Sequence, residues 1–355
     1  MQRLAERMRE DKSIKKQSKK RAAIAGTLAV VIGAIIALGV ISEMQEYGEK
    51  SGNGFKKGAV QEKGEEVSSK EAVLLLESDS GIKKIPAGDR KKMTRLAIVR
   101  ENVVLFEIKK EPSENQVDFE EWYITEPYSY KQLVNVSDLY DFLDHYASWD
   151  CIDEAKGVEF RGSGLYVEEE FEDTGACRFE IGQQNKEGNY YVKADYSPKI
   201  YEVEKKQVEV MTGLEAEDFM MGIANLIYLT TVEKLEVRTE GIAAVFDIET
   251  AADNSQIYKR DGSVCNEKGF KEMYAALLSV VIAGEAEEIH TQKAREPILG
   301  LHFYRNEKEL EEVEINYYSY DDNYCLIERN GVREFLTERK ALEQVIATIK
   351  EYCSH

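Results

Sequence analysis

The chain has 355 residues, 43% hydrophobic and 10% aromatic, which excludes a disordered or collagen-like polymer and leaves enough length for two domains of ordinary size. Its 67 acidic side chains outweigh 47 basic ones for a net charge of -20, and so acidic a chain excludes nucleic acid as a partner.

That charge is divided unevenly. Residues 1–21 carry nine basic and three acidic groups, and Ala22 to Ile41 follow with no charge and no proline. At about 1.5 Å per residue this second stretch reaches roughly 30 Å, the thickness of a bilayer core. The pattern predicts a cytoplasmic basic tail (1–21), a transmembrane helix acting as signal-anchor (22–41) and an acidic extracytoplasmic remainder of net charge -26 (42–355). The predicted localisation is therefore the cell membrane, single-pass, with the N-terminus inside. A cleaved signal peptide is the competing reading, opposed by the length of the apolar run and by the single cleavage-like triplet Ala37-Leu38-Gly39. Ala25, Ala29, Gly33 and Ala37 form a small-x-x-x-small stripe, a candidate packing face for a membrane protein partner such as a transporter permease.

Residues 42–70 are rich in Gly, Glu, Lys and Ser and read as a flexible linker. Folding signals strengthen at Leu96 to Ile108, where two β-rich runs flank Glu101-Asn102 as in a hairpin. A strand from Phe119 to Thr125 carries Trp122 and stops at Pro127, and a helix follows from the spacing of Leu139, Phe142, Leu143, Tyr146 and Trp149, with Asn135 or Ser137 as N-cap. Period-two alternation then returns over 165–170, 177–181, 189–194 and 199–203. Phe219, Ile223, Leu226 and Ile227 predict a second helix closing this half.

From Glu233 the same order starts again. Asn189-Tyr190 align with Asn323-Tyr324, Tyr201 with Phe335, Phe179-Glu180-Ile181 with Val313-Glu314-Ile315, and Gly164 to Val167 with Gly300 to Phe303. Leu139, Phe142 and Tyr146 align with Phe270, Met273 and Leu277, Leu96 with Leu235, and Phe106 to Ile108 with Phe246 to Ile248. Colinear matches with gaps confined to polar loops predict an internal duplication, 71–230 and 231–355. Each repeat reads as α+β, an antiparallel sheet packed with helices, the last of them Glu338 to Tyr352.

The residues offer no catalytic, cofactor-binding or metal-ligating constellation. His145, His290, His302 and His355 lack a second ligand at i, i+4 spacing; His302 aligns with Tyr166, which favours a structural role. Ser163 has glycines adjacent to it instead of two residues away, so no nucleophile elbow is encoded and a hinge before a strand is the better reading. Glu168-Glu169-Glu170, Glu172-Asp173 and Asp321-Asp322-Asn323 are acidic clusters without the spacing of a calcium loop, and the last reads as a turn. No phosphate-binding or dinucleotide fingerprint exists. The cysteines, Cys151, Cys177, Cys265, Cys325 and Cys353, are too scattered for a zinc or redox motif and read as mostly free, buried thiols.

Trp122 to Pro127 leading into the helix at Leu139, the Asn-Tyr strands and the N-terminal apolar span together resemble an uncharacterised family of bacterial membrane-anchored proteins, the domain-of-unknown-function 4340 family. Trp122 and Pro127 carry over as family-like structural residues; Ile257 stands near the tryptophan's place in the second repeat, where no proline follows. Members are often encoded beside permeases and ATPases of gliding-motility-type ABC transporters. The resemblance implies a non-enzymatic accessory or scaffold protein of an ABC-type transport complex, with no cofactor. The alternative is an extracytoplasmic enzyme or ligand-binding module acting on envelope material in the groove between the repeats; a sensor is disfavoured by so short an inside tail.

Overall fold

A computed structural model describes residues 76–77, 83–85, 88–114, 119–146, 149–251, 255–286, 296–307 and 310–354. The hairpins show how the sequence sets the frame. Glu101 and Asn102, at φ 49° and 70°, turn strand β3 (Met93–Arg100) into β4 (Val103–Pro112). Asp261-Gly262 joins β15 (Gln256–Arg260) to β16 (Ser263–Val264), and Asn330-Gly331 joins β20 (Tyr324–Arg329) to β21 (Val332–Glu338), again with positive φ at both residues. Two-residue loops of this conformation match the right-handed twist of the strands they connect.

The remaining strands of the first half are β1 (Leu76–Glu77), β2 (Lys83–Ile85), β5 (Glu120–Glu126), β6 (Gln132–Leu133), β7 (Trp149–Cys151), β8 (Asp153–Glu154), β9 (Gly162–Phe171), β10 (Gly175–Gln184), β11 (Tyr190–Ala194) and β12 (Tyr201–Val203). Those of the second are β13 (Val232–Thr239), β14 (Ile242–Thr250), β17 (Gly284–Glu285), β18 (Leu299–Arg305) and β19 (Glu312–Ser319). Among the described residues there are four α-helices: α1 (Val136–Tyr146), α2 (Lys205–Thr212), α3 (Glu267–Leu278) and α4 (Arg339–Cys353).

The strands form two antiparallel nine-stranded sheets, ordered β6-β5-β4-β3-β9-β10-β11-β12-β8 and β16-β15-β14-β13-β18-β19-β20-β21-β17, and a small sheet β1-β2-β7. Position by position the two large sheets have the same order. Phe179 pairs with Val167 in the first, and the aligned residues Val313 and Phe303 pair in the second. One alignment slips: Ile98, not Leu96, pairs with Phe106 as Leu235 pairs with Phe246. A slip of two residues keeps a side chain on the same face, so hydrophobic pattern alone does not expose it.

The α+β expectation of a helix-packed sheet is corrected. The chain is mostly β, with strands of up to ten residues outweighing four short helices among the described residues. Trp149, expected on the helix of Leu139, belongs to β7, since α1 stops at Tyr146. The closing helix of the first half is α2 and not the stretch at Phe219. There Gly222 takes φ 73° and residues 219–224 run as irregular chain between the sheets, with Met220 bridged to Val134 and Ile223 to Val281.

The membrane expectation is corrected as well. Among the described residues no helix is long and apolar enough to cross a membrane; α4, the longest, has 15 residues and carries Arg339, Lys340, Glu343, Lys350 and Glu351. The structure therefore supports neither the transmembrane and signal-anchor description nor the single-pass cell-membrane localisation. The tail 1–21, the span 22–41 with Ala25, Ala29, Gly33 and Ala37, the 42–70 linker and residues 71–75 of the first repeat lie outside the described residues.

The core lies on one face of each sheet. In the first, Leu96, Ile98, Phe106, Ile108, Val167 and Phe179 are buried; in the second, Leu235, Phe246, Phe303, Val313, Ile315 and Tyr317 are. Helix α4 rests against β14, β20 and β21, and α3 against α4 and β15.

Candidate functional site

The junction between the sheets gathers more polar side chains than any core position predicts. From the first half come Glu114, at the end of the β4 hairpin, and Tyr128, Ser129 and Tyr130, which follow β5. Tyr128 donates its hydroxyl to Glu285 at 2.7 Å and packs edge-on to Phe335 at 4.8 Å, and the Ser129 amide donates to Glu334 Oε1 at 2.7 Å. Arg329 stacks over Tyr130 at 4.1 Å and pairs with Glu114 at 3.4 Å, while the Tyr130 hydroxyl donates to the same carboxylate at 2.8 Å. Arg305, buried at the end of β18, donates from Nε to Thr231 Oγ1 at 3.1 Å and from its guanidinium to the Glu114 carbonyl.

Burial and neighbouring carboxylates hold the Tyr128 hydroxyl well above its ordinary pKa, and burial does the same for Tyr130, so both act as neutral donors. Burial pulls Arg305 downward, partly offset by Glu307 and Glu114. Glu334 sits at a β-bulge between the pairs Ile327–Phe335 and Glu328–Arg333, which turns its carboxylate toward the junction. Tyr130, Gln132, Ile282, Ile327, Arg329 and Glu334 line a cavity of about 20 Å³. That is room for one water molecule bridging polar groups, not for a substrate of several atoms.

The segment linking the sheets is clipped from both sides. Phe219 lies 5.9 Å from Phe106 and 5.5 Å from Phe142 in the first half. Asn225, fully buried, donates to the Leu277 carbonyl at 2.8 Å and accepts from the Tyr317 hydroxyl at 2.5 Å, and Tyr274 donates to the Ile227 carbonyl at 2.8 Å.

The open faces carry cross-strand charge ladders. Arg95 bonds Glu107 and reaches Glu168 at 3.1 Å and Glu170 at 3.2 Å. Burial raises the Glu107 pKa, but hydrogen bonds from Thr125 and Arg95 outweigh it and hold the group below the usual carboxylate range. Glu169, between them in sequence, points the other way: it is fully buried, accepts from Trp149 Nε1 at 3.3 Å, and is pushed upward by burial against the pull of Arg90 and Trp149.

The residues singled out in the sequence are scattered. His302 stacks on Tyr304 at 4.2 Å and bonds Glu312 at 2.9 Å on the open face of the second sheet. The Ser163 hydroxyl donates to the Ile181 carbonyl at 2.6 Å beside Gly164, whose φ is 73°. Asp321 accepts from the Asn323 and Tyr324 amides, both at 2.7 Å, closing a turn. Trp122 is buried, with Lys110 5.6 Å from its ring, and β5 ends one residue before Pro127. Tyr258, next to Ile257, matches Trp122 in its bond to the following strand: the Cys265 amide donates to the Tyr258 carbonyl as the Val134 amide donates to that of Trp122, both at 2.9 Å. None of the five cysteines is in a disulfide. His290 and His355 lie outside the described residues.

The chain matches no family model, no curated protein and no solved structure.

Proposed function

We propose that this chain is a non-enzymatic accessory or scaffold protein whose partner is a subunit of an ABC-type transport complex, a permease or its ATPase. One observation carries the scaffold part: the linking segment is anchored in the second half by Asn225, Tyr317 and Tyr274 and in the first by Phe219. Contacts that hold two large sheets in a set relation suit a platform on which other subunits are arranged. The junction supports the same reading, because its tyrosines and arginines are spent on one another across the halves and its cavity accommodates a water. The choice of a transport complex rests on the resemblance around Trp122 and Pro127.

The test is co-purification of the tagged full-length chain from its native host, in mild detergent after brief cross-linking, with mass spectrometry of the recovered material for an ABC-type permease and its ATPase. Recovery of both in constant ratio is the expected result. Absence of both in the cross-linked material refutes the transport assignment.

A further inference from the structure

The two large sheets share one strand order, yet their corresponding first edges are treated differently. In the first sheet the edge strand β6 is not left open. Residues 219–221 lie along it: the Asn135 amide donates to the Phe219 carbonyl at 2.6 Å, and the Met221 amide donates to the Leu133 carbonyl at 2.8 Å. Val134, bridged to Met220, is 1% exposed as a result.

The equivalent edge of the second sheet is β16, matched to β6 by the helix cap that follows it and by one inward hydrogen bond. Asn135 and Asn266 both cap the helix that follows, accepting at their side chains from the amides of Ser137 and Gly269. Val134 and Cys265 both donate inward to the neighbouring strand. Leu133 therefore corresponds to Val264. Among the described residues no segment pairs with the outer side of β16. Val264 is 73% exposed and Ile257, diagonal to it on β15, is 45% exposed, the two standing out among the large apolar side chains of the second half.

We propose that β16 is a strand-acceptor edge, which takes an extended apolar segment of a partner protein in the way β6 takes residues 219–221; this rests on the scaffold reading and names the kind of partner it arranges. The Val264 carbonyl would accept from, and the Asn266 amide donate to, the incoming backbone, as Leu133 and Asn135 do. Main-chain hydrogen bonds supply affinity in such strand addition, and side chains at alternate positions supply selectivity. The occupant differs from the internal segment in one respect. The ring corresponding to Phe219 is already supplied by Tyr352 of α4, which lies 6.0 Å from Phe246 much as Phe219 lies 5.9 Å from Phe106. The partner strand need not bring an aromatic inward; it must cover Val264 and Ile257 with aliphatic side chains.

The probe is a fluorescent peptide with the sequence of residues 216–224 carrying Phe219→Ala, since Tyr352 already fills the place of that ring, titrated into the full-length chain and followed by anisotropy. A peptide carrying Met220→Pro is the control, since it keeps the composition and loses the strand. Binding of the first and not the second is expected. Val264→Pro sets a ring carbon where the outward amide hydrogen was, in the path of the incoming backbone and away from the inner ladder, and should weaken binding about tenfold or more. Val264→Asp keeps the backbone donors and should weaken it about threefold. Both variants should melt with the wild type, because this side chain is exposed. No binding, or equal binding by Val264→Pro, overturns the proposal. Peptide binding by a chain that recovers no transport subunit upholds the edge and refutes the transport assignment separately.

Discussion

Tyr317→Phe tests the clip that joins the sheets. The hydroxyl removed is completely buried and donates to Asn225 Oδ1, itself in a residue of zero exposure whose amide nitrogen is committed to the Leu277 carbonyl. The substitution therefore leaves a buried acceptor unpartnered with no change in packing volume to speak of. Stranding such a group costs about 1–3 kcal/mol. Asn225→Ala strands the Tyr317 hydroxyl, leaves the Leu277 carbonyl with the Val280 amide at 3.4 Å, and adds a small cavity, so its cost should be larger, about 2–4 kcal/mol. The double variant should cost less than the sum of the two, because once Asn225 is gone the Tyr317 hydroxyl has no partner to lose. Urea midpoints at constant slope give each term, and the cycle gives the coupling, expected at about 1–2 kcal/mol. A Tyr317→Phe cost below about 0.5 kcal/mol, or strict additivity of the pair, would show that the bond does not hold the linking segment.

Two further predictions concern pH. Glu107 is held below its ordinary pKa, so its contribution to stability is present above the unfolded carboxylate pKa of about 4.3 and is lost as pH falls through the lower folded value. Arg95→Met should flatten that acid limb and cost about 1–2 kcal/mol at neutral pH, measured by urea unfolding between pH 2 and 7; an unchanged acid limb refutes the ladder. Glu169 has the opposite sign: its folded pKa is raised, so the native state holds the proton longer and stability falls as pH rises from about 4.3 to the folded value. Glu169→Gln should remove this fall while keeping an acceptor for Trp149, and a variant with the wild-type slope across that window would refute it.

Much of the β architecture was legible because alternation is written directly on the surface of the chain. Val313, Ile315 and Tyr317 are buried and Glu314 is exposed, as period two requires, although Asn316 on the face of Glu314 is buried too, its amide donating to Glu314 and Glu328. The repeated order of elements was legible for the same reason, although the pairing of Leu96 with Leu235 slipped by two residues. What misled was spacing without regard to backbone: Phe219, Ile223 and Ile227 stand four apart, yet Gly222 adopts a left-handed conformation that ends any helix there. Most of the junction was not legible. Glu114, Arg329 and Glu334 meet only after strands far apart in sequence have paired, and no local pattern reports a long-range contact of that kind.

Two of the buried charges did leave a trace. The inward positions of β9 read Leu165, Val167, Glu169, Phe171, and those of β18 read Leu299, Leu301, Phe303, Arg305. Each strand breaks its apolar alternation once, and since Val167 and Phe303 correspond, the breaks fall at the same place in the two sheets. A buried charge is costly unless it is bonded, and each of these bonds an added segment. Glu169 receives Trp149 of the small sheet, and Arg305 reaches Glu114 of the opposite half. The shared position is thus where each sheet acquired its own attachment, a carboxylate for the small sheet and a guanidinium for the neighbouring half. It follows that exchanging the two charges, Glu169→Arg with Arg305→Glu, should not restore what either single change destroys, because each charge answers a different segment and not the other.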